Sequence, residues 1–422
     1  MPTVRTPARP VTRATSWAAG TLIRWGVHAK RLLVSAAERG AESSTDVSEH
    51  GSTPVVAYFG DQPATLYQIR QWLPVFEAVA QHRPLLVLTR DATTSRLLRQ
   101  ETSLPVVLAH RIDDVLAAYR QVDAKVVVYV NNGMLNFQSL IYPDALHVHV
   151  NHGESDKISM VSNQAKAYDR VVVAGRAAVE RHRRALINLP DDRLAVCGRP
   201  QLDHDVDPVL PPAPAGVRTV LYAPTWSGEN DANNYTSLDR YGEVIVRAVL
   251  SHPDLRLVYR PHPRVVEGTD PACARAHRTL VGMIESANRA AERHLMPFHD
   301  APLAVFDGVD LLVTDVSSVG LDFLYLRPEA PIVLTDRRTD RERLECEAPV
   351  ARGTDVVDAT TVEDVAGTIR RNLDADPHRA ERARLRDHYF GFERHESSTR
   401  FQELVEECIT TRDALVRERD TR

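Results

Sequence analysis

From Pro54 onward, short runs of β-branched and apolar residues alternate with segments of helical spacing, and the alternation breaks once, at a proline-rich stretch near mid-chain. The first set of runs falls at Val55–Tyr58, Leu85–Leu88, Val106–Leu108, Val126–Val130, Leu146–Val150, Val171–Val173 and Leu194–Val196. Between them lie helical candidates such as Leu66–Val79, Ile112–Tyr119 and Arg176–Leu186. Continuous apolar strands alternating with helices predict a parallel sheet covered on both faces. Asp205–Val217 then carries Pro208, Pro211, Pro212 and Pro214, which cannot continue a helix or a central strand and read as a stiff connector. The pattern restarts with strands at Val220–Tyr222, Leu255–Tyr259, Leu311–Val313 and Ile332–Leu334. Helices are expected at Leu238–Leu250, Ala272–His294, Val319–Leu326 and Val362–Leu373. The expected fold is α/β, with two Rossmann-like lobes and an interlobe cleft receiving ligands at strand C-termini.

At 422 residues the chain exceeds the size at which one core keeps growing, which agrees with two lobes. The reading divides it into a leader and linker (1–53), a first lobe (54–204), the connector (205–217), a second lobe (218–376) and a charged helical tail (377–422). A formal charge of -5 gives no global reason to expect nucleic acid as a partner. Cys197, Cys273, Cys346 and Cys408 are scattered and form no C-x-x-C pair, so neither a disulfide framework nor a zinc site is expected, and no metal or cofactor is assigned. No apolar run approaches the ~20 residues that span a bilayer, and the N-terminus lacks a secretory pattern, so a cytoplasmic location is expected. Residues 1–40 interleave Arg5, Arg9, Arg13, Arg24, Lys30, Arg31 and Arg39 with Trp17, Leu22, Ile23, Trp25 and Leu32. Two readings stand: an amphipathic helix lying on an anionic membrane surface, or a frayed basic leader.

Four segments carry chemistry. In Asp310–Phe323 a buried strand runs into Thr314-Asp315, and Ser317 or Ser318 can cap the helix that follows. The free N–H groups and dipole of that helix start suit a pyrophosphate, with the Thr314, Ser317 and Ser318 hydroxyls as further donors. Asp322 either reaches a ribose from this helix or is a surface carboxylate. In Tyr259-Arg260-Pro261-His262-Pro263 the two prolines hold His262 in one orientation, and a cationic imidazolium beside Arg260 suits a leaving diphosphate. In Val148–Glu154 a strand ends on His152-Gly153, where an imidazole of ordinary pKa can take a hydroxyl proton and the glycine allows close approach. His147 and His149 on the strand before it read as sheet-packed residues. In Leu221–Gly228, Thr225 and Ser227-Gly228 can face the cleft, while Trp226 packs or stacks on a base.

In this order, His152-Gly153, Tyr168-Asp169, Gly198-Arg199-Pro200 with Asp203, Tyr222-Ala223-Pro224-Thr225-Trp226, Pro261-His262-Pro263 and Thr314-Asp315-Val316-Ser317-Ser318 resemble the CDP-glycerol glycerophosphotransferase family of teichoic-acid-type polymer synthases. The resemblance spans roughly Asn151 to Asp336 and implies the GT-B architecture. It also implies transfer of a glycerol phosphate unit, or a related polyol phosphate, from a CDP-polyol donor to the hydroxyl of a polyol-phosphate or glycan-lipid acceptor, with CMP leaving. It assigns His152 as general base and His262 as a diphosphate contact, with Thr314, Ser317 and Ser318 completing the cradle. Arg260, Thr225, Asp315 and Asp322 are grouped on the donor side, and Gly153, Glu154 and Lys157 on the acceptor side. The family commonly has Thr-Pro after His-Gly, where this chain has Glu154-Ser155-Asp156-Lys157. Those carboxylates are expected either to raise the pKa of His152 or to accommodate another acceptor. Two other classes remain open: a nucleotide-sugar glycosyltransferase of the same architecture, and a non-catalytic nucleotide- or polymer-binding module.

Overall fold

A computed structural model describes residues 47–422 except Thr269. Residues 1–40, with their two readings, lie outside the described residues. The first sheet has seven parallel strands: β1 (Val55–Phe59), β2 (Leu85–Thr89), β3 (Val106–Leu108), β4 (Val126–Tyr129), β5 (Leu146–His149), β6 (Arg170–Val173) and β7 (Leu194–Val196), in the order β3-β2-β1-β4-β5-β6-β7. The second has five: β8 (Arg218–Ala223), β9 (Leu255–Tyr259), β10 (Leu311–Thr314), β11 (Ile332–Thr335) and β12 (Asp355–Val357), in the order β12-β11-β10-β8-β9. Every pairing is parallel; Val55 lies opposite Val126 and Leu85, and Leu311 opposite Val220. Both strand orders reverse beside the first strand of the sheet, between β1 and β4 in one lobe and between β8 and β10 in the other. Such reversals splay the adjoining loops apart and open a crevice at the strand C-termini.

The apolar runs do what their composition requires. Each central strand is buried along its length, and side chains alternating across the pleat feed two clusters. Val55 and Ala57 face one core, Val56 and Tyr58 the other. The second sheet repeats this with Leu221 and Leu312 on one face and Val220 and Val313 on the other. Helix bounds differ from the sequence reading where local chemistry intervenes. The span Leu66–Val79 splits into Tyr67–Arg70 and Leu73–Ala80, because Pro74 can sit only in a first turn. The expected Ala272–His294 is Pro271–Asn288, started by the Asp270 carboxylate accepting from Cys273 N at 2.8 Å. The Leu238 helix begins at Gly242, and the Val362 helix at Val365 after a short 3-10 turn.

The proline-rich connector forms neither helix nor strand and lies on the second lobe, with Val209 N bonded to Ala304 O and the Arg256 guanidinium to Pro211 O. The tail forms two helices, Arg379–Tyr389 and Glu396–Asp420. The last returns to the first lobe, where Phe401, Leu404, Val405 and Cys408 are buried among β1, β4 and β5 residues. Truncating such a side chain costs about 2–5 kcal/mol, so the helix is an integral part of that core. Asp203 fixes its start by accepting from His395 N and Ser398 N, at 2.8 and 2.6 Å. At Gly198 (φ +71) the chain passes so close that a Cβ would stand 2.1 Å from Ser397 Oγ. Among the described residues no helix is long and apolar enough to cross a membrane.

Candidate functional site

Three loops leave the C-terminal edge of the second sheet, and one buried carboxylate ties them together. Asp315, following β10, accepts from Thr225 N (2.6 Å) and Ser237 N (3.0 Å) in the region after β8, and from Thr335 Oγ1 (2.5 Å) at the end of β11. Thr314 Oγ1 donates to Ala223 O at 2.8 Å. Both residues, expected among the donor contacts, are therefore consumed in shaping the loops. Ser317 occupies the N-cap of the helix Ser318–Leu326 but makes no side-chain capping bond. The first N–H groups of that helix thus keep their capacity for an anion.

His262 N donates to Pro224 O, and its Nδ1 accepts from Arg264 N at 3.2 Å, which leaves Nε2 to carry the proton of the neutral ring. The ring lies 6.1 Å from that of Trp226, over which the Arg264 guanidinium stacks at 4.2 Å. Burial and then the cations Lys157, Arg260 and Arg264 drive His262 down to about 3. This corrects the expected imidazolium: in a dry pocket already rich in positive charge the ring stays neutral. The standing cations are Arg260, Arg264 and Lys157. Burial lowers Arg260 to about 10, so it remains charged at neutral pH, and its Nε is buried without a hydrogen-bond partner.

In the first lobe β5 ends at His149, and two residues on the left-handed backbone of Asn151 (φ 55) turns the chain so that His152 leaves the strand direction sharply. Trp72 Nε1 holds this turn by donating to Asn151 O at 2.6 Å. Gly153 brings the turn against the second lobe: a Cβ there would meet Ser318 Cβ at 3.4 Å. The close approach expected at this glycine is thus to the helix start across the cleft. Burial, aided by the Arg199 charge, lowers His152 to about 4. The acidic residues after it were expected to raise this value; they do not, because they are already paired. Arg181 binds Glu154 at 2.6 Å and Asp156 at 2.8 Å, and Tyr389 Oη donates to Asp156. Glu154 therefore faces an interior arginine. His147 bonds Tyr129 Oη and Tyr142 O, and His149 lies buried against Tyr168, as sheet-packed residues do.

Lys157, grouped with the acceptor side, crosses the cleft. Its Nζ donates to Thr225 Oγ1 at 2.8 Å, and burial lowers it to about 8. Asp322 is neither a ribose contact nor a surface group: it is buried, and Arg199 Nη1 binds it at 2.7 Å between the lobes. Burial raises its carboxyl to about 6 against the pull of Arg199, leaving the pair charged at neutral pH. The residue without any sequence signal is Tyr67, from the short helix after β1. Its ring meets those of His152 and His262 edge-on, at 5.7 and 6.3 Å. Arg199 had a signal, the Gly-Arg-Pro turn after β7, but no role was assigned to it.

A cleft between two Rossmann-like lobes, with two neutral histidines facing one tyrosine and cations on the second lobe, defines a GT-B-type transferase for a nucleotide-activated donor. The model of the CDP-Glycerol:Poly(glycerophosphate) glycerophosphotransferase family matches residues 114–407, well over half the chain. The chain belongs to that family and is a glycerophosphotransferase. No curated protein matches it at a significant level. Among solved structures it is similar to a putative UDP-N-acetylglucosamine 2-epimerase from Listeria monocytogenes, 15% identical, covering 83% of this chain and 95% of that one with a TM-score of 0.58. It is also similar to the wall teichoic acid polymerase TagF, 14% identical over 93% and 98% of the two chains, with a TM-score of 0.55. The S. aureus MnaA–UDP structure follows at 15% identity, 82% and 94% coverage and a TM-score of 0.53. At these identities they establish the two-lobed fold.

Proposed function

We propose that this chain moves glycerol phosphate from CDP-glycerol to a hydroxyl at the end of a polyol-phosphate or glycan-lipid acceptor, extending or priming a teichoic-acid-type polymer. The observation that carries the reading is the meeting of the His152 turn with the Ser318 helix start, with Tyr67 against both histidines. His152 removes the acceptor proton as its oxygen attacks the glycerol-bearing phosphorus. The bond from that phosphorus to the bridging oxygen breaks, and CMP leaves. The helix start at Ser317-Ser318, Arg260, Lys157 and the Nε2 proton of His262 hold the diphosphate. Positioning and fixed charge supply most of the rate in phosphoryl transfer of this kind.

A base near 4 is weak because burial, and after it the neighbouring cations, depress both rings; the donor's negative charges act against the cations and so raise the pKa values. A binding and turnover panel of CDP-glycerol, CDP-ribitol, UDP-sugars and GDP-sugars tests the reading. CMP release with a CDP-polyol is expected; UDP or GDP release with a sugar would replace it with glycosyl transfer. The basic and apolar residues 1–40 support adsorption to the anionic cytoplasmic face of a membrane. Co-sedimentation with phosphatidylglycerol vesicles, lost on deleting them, checks this; equal sedimentation of both forms would refute it.

A further inference from the structure

We propose that Asp61, Gln68 and Asn131 form an acceptor subsite that receives the free hydroxyls of a terminal polyol and rejects a terminal phosphate. The inference rests on the transferase reading above and says what the first lobe holds.

The three residues gather at the strand-order reversal between β1 and β4, the place where a doubly wound sheet opens a crevice. Asp61 leaves the end of β1, Asn131 the end of β4, and Gln68 sits on the short helix Tyr67–Arg70. Asn131 Nδ2 donates to Asp61 Oδ2 at 2.7 Å and to Gln68 Oε1 at 2.8 Å, while its own Oδ1 accepts from Gly133 N at 3.0 Å. Asn136 Nδ2 braces the loop by donating to Asn131 O at 2.7 Å. Gly133 keeps the crevice open: a Cβ there would lie 2.9 Å from Asp61 Oδ2 and 3.0 Å from Asn131 Oδ1.

The chemistry is that of alcohol recognition. Among the described residues no basic side chain lies within ion-pair distance of Asp61. Its carboxylate therefore keeps acceptor capacity for hydroxyl protons, and the Gln68 amide supplies donors. A phosphate here would meet an unneutralised carboxylate. The second lobe's loops, with Arg260, Arg264 and the reach of Lys157, have the opposite character. The set is also wired to the reacting centre. Gln68 Nε2 donates to Tyr67 Oη at 3.3 Å, and the Tyr67 ring faces both histidines. Trp72, just beyond the same short helix, pins the turn that carries His152. A polyol held by Asp61 and Gln68 thus has one hydroxyl left to point toward His152.

The test uses the full chain, CDP-glycerol and two synthetic glycerol-phosphate oligomers, one ending in free glycerol and the other in a phosphate monoester. The wild type is expected to extend only the first. Asp61→Asn, which keeps the shape of the side chain, and Gln68→Ala on the half-exposed helix are each expected to raise the oligomer KM about tenfold or more. Both should keep the CDP-glycerol Kd within about threefold by calorimetry. Unchanged oligomer KM in both variants overturns the proposal. So does competitive inhibition by the phosphate-capped oligomer, which lacks the terminal primary hydroxyl to react, as tight as the binding of the free-glycerol oligomer. If the wild type does not bind CDP-glycerol, the donor reading falls on its own. The subsite is then judged by titrating the free-glycerol oligomer alone: binding weakened in the variants upholds it, and equal binding overturns it.

Discussion

In the second lobe the loops after β8, β10 and β11 are stitched together from within by Asp315 to Thr225, Ser237 and Thr335, and the loop after β9, which carries the cations, joins them through His262 N to Pro224 O. In the first lobe the loops after β1 and β4 are stitched by the Asn131 amide and finish in carboxamides and a carboxylate that accepts from Asn131 and has no basic partner among the described residues. The histidines differ in the same sense. His262 is held neutral by burial and then three cations, His152 by burial and then one. One topology used twice therefore yields a side suited to anions and a side suited to hydroxyls. Topology fixes where a crevice opens, and the first two or three residues beyond each strand decide what enters it.

The sharpest way to break this contrast is to exchange loss of turnover for loss of binding. His152→Ala is expected to lower kcat by about 10²–10⁴ while the CDP-glycerol Kd, read by calorimetry, stays unchanged. His262→Ala is expected to weaken donor binding as well, and equal donor affinities in the two variants would erase the distinction. Next in size is the pair that crosses between the lobes. Asp322→Ala leaves Arg199 buried and uncompensated and is expected to cost about 3–5 kcal/mol in urea unfolding at pH 7. A loss within experimental error would mean that the pair does not join the lobes energetically.

The Lys157 crossing sharpens the contrast from the donor side. Lys157→Gln is expected to raise the donor KM roughly 10- to 100-fold, the worth of a hydrogen bond to a charged group. In the wild type kcat/KM should decline above about pH 8, where Lys157 loses its proton. Lys157→Arg should move that limb upward; an unmoved limb assigns it to another group. The pH dependence of folding gives a gentler effect. His149, His152 and His262 lie at about 3, 4 and 3 in the folded chain, against 6.5 when exposed. Below pH 6.5 the unfolded chain binds more protons, so stability is full above that value and falls as the pH drops toward 4. Scanning calorimetry should show Tm dropping across this window, less steeply with CDP-glycerol bound; a rising Tm would reverse the sign. Smallest is Arg264→Gln, which removes the guanidinium stacked on the half-buried Trp226 and should destabilise by about 0.5–1 kcal/mol in urea unfolding.

The fold was legible because parallel strands buried on both faces need unbroken apolar runs, and Val126–Tyr129 or Leu311–Thr314 can hardly be read otherwise. Chemistry held within one loop was legible too, since Pro261-His262-Pro263 and His152-Gly153 carry their geometry in adjacent residues. What escaped was chemistry made by distant partners. Nothing local says that Asp322 meets Arg199, that Glu154 and Asp156 meet Arg181, or that Tyr389 reaches Asp156. The charge of His262 was misread for the same reason, since the ring's state depends on cations brought from Lys157 and Arg264 and on dryness that no short motif encodes. Tyr67 sits in no pattern at all, and only the packing of its helix beside the His152 turn reveals it.

The return of the helix Glu396–Asp420 to the first lobe bears on how the chain is made. A ribosome delivers the first lobe's seven strands well before Phe401, Leu404, Val405 and Cys408, the residues that close one face of its core. The second lobe, whose strands end at Val357, can complete its sheet while the first still exposes apolar surface to the surrounding solution. The core of the first lobe is therefore closed after that of the second, and it exposes apolar surface until the segment carrying Phe401 to Cys408 has left the exit tunnel.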